Sequence, residues 1–235
     1  MANNTKNSNM IVGLDIGTSK VVCIVGKYND SNKLEIVSLG AYPSSGLKKG
    51  VVVNIDATTD AIKKAVEQAQ SMIEEKINSV YVGIAGNHIK SLNSQGAVGI
   101  KDKEVTPYDI DRVIDSAQAV SIPSDQNVLH VLPQEYVIDN QEVSLDPLGM
   151  SGVRLEAKVH LVTCANSAIK NIEKCIKNCG LSVDGFVLEQ LASSHSILSE
   201  DEKELGVCLV DIGGGTTDIA IFNSGSIVFT GVIPI

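Results

Sequence analysis

The chain has no tryptophan, five tyrosines, three phenylalanines and six prolines in 235 residues. Its 43% apolar content is therefore largely aliphatic, and it is ample for a core. Positive charge is scarce: 28 Asp and Glu stand against 19 Lys and Arg, without a basic cluster. That leaves nucleic-acid binding without electrostatic support. No apolar run approaches the ~20 residues of a membrane helix. Residues 1–9 are polar and Asn-rich, so they read as a disordered lead and not as a secretion signal. The cysteines number five, an odd count, and most sit inside apolar runs. This favours reduced thiols in a cytoplasmic core over a disulfide framework. Cys175 and Cys179 are four apart on a predicted helix, but no His adjoins them. Neither G-x-x-x-x-G-K-[ST] nor G-x-G-x-x-G occurs, which closes the P-loop and dinucleotide routes to a nucleotide.

What the chain does have is a repeated unit. Val12-Gly13-Leu14-Asp15-Ile16-Gly17-Thr18-Ser19-Lys20 and Cys208-Leu209-Val210-Asp211-Ile212-Gly213-Gly214-Gly215-Thr216-Thr217-Asp218 are each an apolar run ending in Asp-Ile-Gly. Small or hydroxyl residues follow, then a second apolar run, so each predicts strand, tight turn, strand. The two aspartates are 211 − 15 = 196 positions apart, too far for a short-period solenoid. Two related half-domains facing across a cleft fit that spacing.

Such a unit suits phosphate. Turn glycines (Gly17, Gly213, Gly214, Gly215) allow close backbone approach and aim N–H groups at an anion. Thr18, Ser19, Thr216 and Thr217 add hydroxyls, and Lys20 adds positive charge. Asp15 and Asp211 would repel a bare phosphate, but they suit a hydrated Mg²⁺ beside it.

Around these units the pattern predicts strands at 10–16, 20–28 and 33–42. A helix capped by Asp56 then runs to about Lys76, followed by a buried strand at 80–85. Residues 86–162 break the rhythm with short alternating strands and a helix marked by Thr106, Pro107 and Asp109. This is an α+β insert, in which His88, His130 and His160 read as structural. A helix from Ser167 to Asn178, stopped by Gly180, a strand at 183–188 and a helix from Glu189 to about Leu198 resume the layer. Residues 199–204 read as a solvated acidic connector.

The paired hairpins resemble the phosphate motifs of the superfamily of actin, sugar kinases and chaperone ATPases, which implies an α/β fold of two ribonuclease-H-like halves. Only Pro43 to Ile55 separates the third strand from the first helix, too little for actin's extra subdomain. The insert instead follows strand 80–85. That order is similar to the bacterial FtsA family, as are Gly83-Ile84-Ala85-Gly86-Asn87-His88-Ile89 and Leu188-Glu189-Gln190-Leu191-Ala192-Ser193-Ser194. The resemblance implies subdomain 1A from 10–85 and 163–204, subdomain 1C from 86–162, and an incomplete start of 2A at 205–235. It implies ATP and Mg²⁺ as ligands, with Asp15 and Asp211 beside the metal and Glu189 orienting the attacking water. As a helix N-terminal acid, Glu189 could equally serve only the helix dipole.

The resemblance also implies self-association into filaments, binding of FtsZ and other division proteins, and attachment to the inner membrane face through a C-terminal helix that this chain lacks. ATP turnover would be weak at most. The expectation for a chain that stops at Ile235 is a missing adenosine pocket, with Val207, Leu209, Ile219 and Ile221 left uncovered. A sugar or acetate kinase would share the hairpins, but the insert shows no cluster of Asp, Asn and Trp for a sugar. An adaptor similar to PilM would share the insert and differ in its partner.

Overall fold

The computed structural model describes residues 10–143 and 146–235. The lead expected at 1–9 lies outside the described residues. Three antiparallel strands open the chain: β1 (Met10–Ile16), β2 (Lys20–Tyr28) and β3 (Leu34–Pro43). A short hairpin, β4 (Leu47–Lys48) and β5 (Val51–Val52), leads to α1 (Ile55–Gln70) and β6 (Ser79–Ile84). The insert contains β7 (Ile89–Gly99), α2 (Pro107–Gln118), β8 (Gln126–Ile138), β9 (Gln141–Val143) and β10 (Arg154–Ala165). Then come α3 (Asn166–Asn178), β11 (Ser182–Leu188), α4 (Glu189–Ile197) and α5 (Glu200–Leu205). The chain closes with β12 (Val207–Ile212), β13 (Thr216–Asn223) and β14 (Ser226–Pro234).

The first sheet has the order β11-β6-β1-β2-β3, with β6 parallel to both β1 and β11. Period-two alternation puts Val12, Leu14 and Ile16 of β1 and Val21, Cys23 and Val25 of β2 on one buried face. Ala61, Ile62, Ala65 and Ala69 of α1 and Ile172, Cys175 and Ile176 of α3 meet them there. Asn54, not Asp56, caps α1, its side-chain oxygen accepting from the Ala57 amide at 3.0 Å. The helix also stops at Gln70, short of the predicted Lys76, because that side chain wraps the following loop. Its amide group bonds the carbonyls of Ile73 and Glu75 and the N–H of Ile77.

The layer depends on Gly40 of β3. A Cβ there would lie 2.0 Å from the Ala65 carbonyl oxygen and 2.6 Å from the Ala69 nitrogen of α1. Gly40→Ala is therefore expected to destabilise the fold by about 1–3 kcal/mol through overpacking. That would outweigh the ~0.4–1 kcal/mol that restricting the unfolded chain returns. Equilibrium urea unfolding checks it; an unchanged or raised midpoint would show that α1 can slide off β3.

The second sheet, β7-β10-β8-β9, carries α2 and its own core of Val105, Val113, Tyr136, Ile138, Leu155 and Ala157. Thr106 and Asp109 form the capping box that the sequence signals. The insert is not loosely tethered, because β10 runs through two cores. Leu155 and Ala157 belong to the insert, whereas Val162 and Cys164 belong to the first layer.

The third sheet, β12-β13-β14, packs Leu209, Ala220, Phe222 and Ile227 against Leu132 and Leu198. Leu209 is thus buried and Val207 packs beside it, contrary to the expectation that both lie uncovered. Ile219 and Ile221 alternate to the outer face, where Ile221 is exposed with Val210 and Ile212. Cys208 is also exposed on that face, outside any core. The acidic stretch at 199–204 is a mostly exposed connector, as expected, but it is helical, since Ser199 and Glu202 form a second capping box that starts α5.

The second and third sheets join along a polar seam. Gln134 Nε2 donates to the Ile227 carbonyl, and Ser226 Oγ donates to that of Gln134. Buried His160 bridges Asn93 Oδ1 at 2.6 Å and Thr230 Oγ1 at 3.0 Å. Burial lowers its pKa to about 4, so it stays neutral. His130 Nε2 accepts from the Leu188 amide at 2.9 Å. Both bridging histidines are thus used structurally, while burial lowers the pKa of His88, whose ring nitrogens have no hydrogen-bond partner.

Candidate functional site

Each Asp-Ile-Gly unit folds as an antiparallel hairpin, and the two turns close alike. Gly17 N–H donates to the Lys20 carbonyl at 3.0 Å, and Gly213 N–H to the Thr216 carbonyl at 2.9 Å. Those amides are spent on the turns, so what Gly17 and Gly213 offer a ligand is close approach.

The turns also meet. A Cβ on Gly214 would lie 1.8 Å from Ser19 Oγ, and one on Gly215 would lie 2.7 Å from Thr18 Oγ1. Hairpins far apart in sequence therefore interlock, and only glycine permits that separation. Between them opens a polar cavity of about 300 Å³. The residues that line it are Asp15, Gly17, Thr18, Ser19 and Lys20 from the first hairpin and Asp211, Gly213, Gly214, Gly215 and Thr216 from the second, together with Glu189. Thr217 is the exception among the predicted residues. It falls between Thr216 and Asp218 on β13, so strand alternation turns it to the opposite face.

An apolar trough of similar size adjoins the cavity along Gly13, Val22, Ile24 and Tyr81, and shares Asp15, Glu189 and Asp211 with it. The polar cavity is the better candidate, because it alone gathers the hydroxyls, the glycines and Lys20.

Sequence reasoning left out Asp218 and Gln190. Asp218 lines the cavity from a fully buried position and pairs in register with Asp211. Gln190 Nε2 donates to its Oδ1 at 3.0 Å, and Thr216 Oγ1 donates to its Oδ2 at 2.7 Å. The available signal was the second Asp of the Asp-Ile-Gly-Gly-Gly-Thr-Thr-Asp run, seven residues after the first on an antiparallel hairpin.

The electrostatics of the site are strongly negative. Glu189, first residue of α4, packs over Gly83, where a Cβ would lie 3.1 Å from its Cγ. Burial, then the charges of Asp15, Asp218 and Asp211, raise its pKa to about 8. Burial and Asp211 raise that of Asp15 as well, with Lys20 opposing. Desolvation chiefly raises Asp218, against the Thr216 hydrogen bond.

Carboxylates from two hairpins, within electrostatic reach of one another, are hard-oxygen donors that suit Mg²⁺. Among the described residues no group of three or more His, Cys, Asp or Glu is placed to cage a metal. Mg²⁺, which usually keeps several of its waters, would suit so few protein donors.

Paired glycine hairpins meeting at one acidic, hydroxyl-lined cavity, with a ribonuclease-H-like sheet behind the first, define a protein of the actin-like ATPase fold. The solved PilM-PilN type IV pilus biogenesis complex agrees, with a TM-score of 0.69 at 14% identity over 95% of this chain and 61% of that one. So does the ethanolamine utilization protein EutJ of Carboxydothermus hydrogenoformans, with a TM-score of 0.53 at 14% identity over 98% and 54%. At such identities these likenesses establish the fold alone.

The sequence goes further. Residues 86–163 match a family profile described as the SHS2 domain inserted in FtsA. The cell division protein FtsA of Pseudomonas aeruginosa is 65% identical over 98% of this chain and 55% of its own length. That of Neisseria meningitidis is 55% identical over 94% and 53%, and that of Escherichia coli K12 is 46% identical over 96% and 54%. The chain belongs to the FtsA family, and it spans about half the length of the curated relatives it matches.

Proposed function

We propose that this chain supplies the phosphate-binding part of an ATP-binding, actin-like cell-division protein. In this reading the whole protein polymerises at the inner membrane face, anchors FtsZ filaments there and recruits later division proteins. The observation that carries the reading is the meeting of both Asp-Ile-Gly hairpins with Glu189 at one cavity. Thr18, Ser19, Thr216 and the Gly214–Gly215 backbone face the phosphates. Asp15 and Asp211 would hold a hydrated Mg²⁺, which would offset phosphate charge. Glu189, beside them, accepts a hydrogen bond from the attacking water once it has lost its proton, and sets the direction of attack. No helix among the described residues is long and apolar enough to cross a membrane.

The layer formed by β1–β3, α1, β6, α3, β11 and α4 serves as subdomain 1A, the 86–162 module as 1C, and the third sheet as the beginning of 2A. The insert is then the surface that meets a neighbouring subunit or another division protein.

Register allows a test. Ser94 and Val159 are partners on β7 and β10, so a two-residue turn can replace residues 95–158 while keeping Ile89, Asn93, His160 and Val162. The deletion also removes His130, Leu132 and Gln134 of β8, which brace Leu188 and the third sheet, so thermal unfolding is read beside affinity. In a chain completed to the length of its relatives, this deletion is expected to leave Mg·ATP affinity within about threefold and to abolish polymerisation or partner recruitment. Normal polymerisation and recruitment would remove the module from the interface.

A further inference from the structure

We infer that Gln190 is a positioning residue that locks the second hairpin to the first half of the site. The inference rests on the nucleotide reading above. Gln190 follows Glu189 at the start of α4 and is wholly buried, at 0% exposure. Glu189 lines the cavity, whereas Gln190 turns beneath it to the floor of the second hairpin. A carboxylate accepts and cannot donate, so the amide orientation is set by chemistry: Nε2 faces Asp218 and Oε1 faces away. Oε1 is sealed from solvent and has no hydrogen-bond partner. Gln190 borders a pocket of only about 20 Å³ beside Lys90, Ser91, Thr230 and Gly231.

The bonds run from one half of the site to the other. Gln190 holds Asp218 Oδ1, Asp218 Oδ2 receives Thr216 Oγ1, and the Thr216 carbonyl receives the Gly213 N–H that closes the turn. Asp218 also stands opposite Asp211 in the hairpin register. A buried carboxylate with a like charge at its side needs its donors, and Gln190 brings one from outside the hairpin. The clamp thereby sets where Asp211 and the glycine turn stand relative to Asp15 and Glu189. α4 has only nine residues, and its first two do separate tasks, one toward the ligand and one toward the frame.

Gln190→Glu keeps the shape and turns the donor into an acceptor facing Asp218. Gln190→Met keeps the length of the side chain without a donor or a charge. Both are made in a chain completed to the length of its relatives, with Mg·ATP binding measured by calorimetry. Gln190→Glu is expected to weaken affinity at least about tenfold, as loss of a charge-assisted hydrogen bond does. Gln190→Met should lose a comparable amount, because the donor is gone with no charge added. A role in folding alone would shift thermal stability and leave affinity unmoved.

Wild-type affinity in both variants overturns the clamp. If Gln190→Glu is too unstable to assay, Gln190→Met decides alone: a deficit of about tenfold supports the clamp, and wild-type affinity overturns it. Absence of Mg·ATP binding in the wild type would bring down the nucleotide reading and this inference together. Binding in the wild type with both variants undisturbed brings down only this one.

Discussion

Asp211→Ala, made in a chain completed to the length of its relatives, is expected to weaken Mg·ATP binding on the order of a hundredfold, about 2.7 kcal/mol. The carboxylate stands at the end of β12, in the cavity that Asp15 enters from the other hairpin. Without it the hydrated cation keeps a protein carboxylate on one side only. Its removal also relieves repulsion, since the charge of Asp211 is among the causes that raise the pKa values of Asp15, Glu189 and Asp218. Stability of the ligand-free protein should therefore hold or rise while affinity falls. Calorimetry and thermal unfolding, read side by side, separate the cases. Unchanged affinity would remove Asp211 from the site, and parallel losses of affinity and stability would make it a structural residue.

The second large effect concerns Glu189. An acid stabilised by a helix N-terminus has its pKa lowered. That of Glu189 is raised to about 8 by burial and by three neighbouring carboxylates. Between its ordinary value of 4.5 and about 8 the folded state keeps a proton that the unfolded state has released. Stability from this group is therefore undiminished below pH ~4.5 and falls as pH rises toward 8.

Glu189→Gln removes that titration. It should raise the melting temperature at pH 8 more than at pH 5. It should also lower ATP turnover on the order of a hundredfold, the lower end of what a positioned acid–base group contributes. Intact turnover in Glu189→Gln would end the proposed catalytic role. An unaltered pH dependence of stability would show that Glu189 is ionised throughout.

The local parts of this molecule were legible in its sequence. Strands β1 and β2 run from Met10 to Ile16 and from Lys20 to Tyr28, as their apolar alternation and the Gly-Thr-Ser break require. The Thr106-Pro107-Asp109 signal starts α2, and Gly180, at φ +75°, follows the end of α3. These features depend on neighbours a few residues apart, and hydrophobic period, capping chemistry and turn residues are written at that range. Ser199 and Glu202 were equally readable as a capping box. A run of acids, however, looks equally like an unstructured connector.

What required the tertiary structure lies at long separation. That Gly214 presses on Ser19, that Gln190 reaches Asp218, and that His160 fastens β10 to β14 depend on how three sheets dock. A buried amide and a buried carboxylate carry no periodic mark of their partners, and alternation along β13 alone decides that Asp218 faces the site while Thr217 does not. The sequence by itself determined two Asp-Ile-Gly hairpins and the insert between them. Packing decided that the hairpins interlock at one cavity, because the approach of Gly214 and Gly215 to the side chains of Ser19 and Thr18 is one that only folding creates.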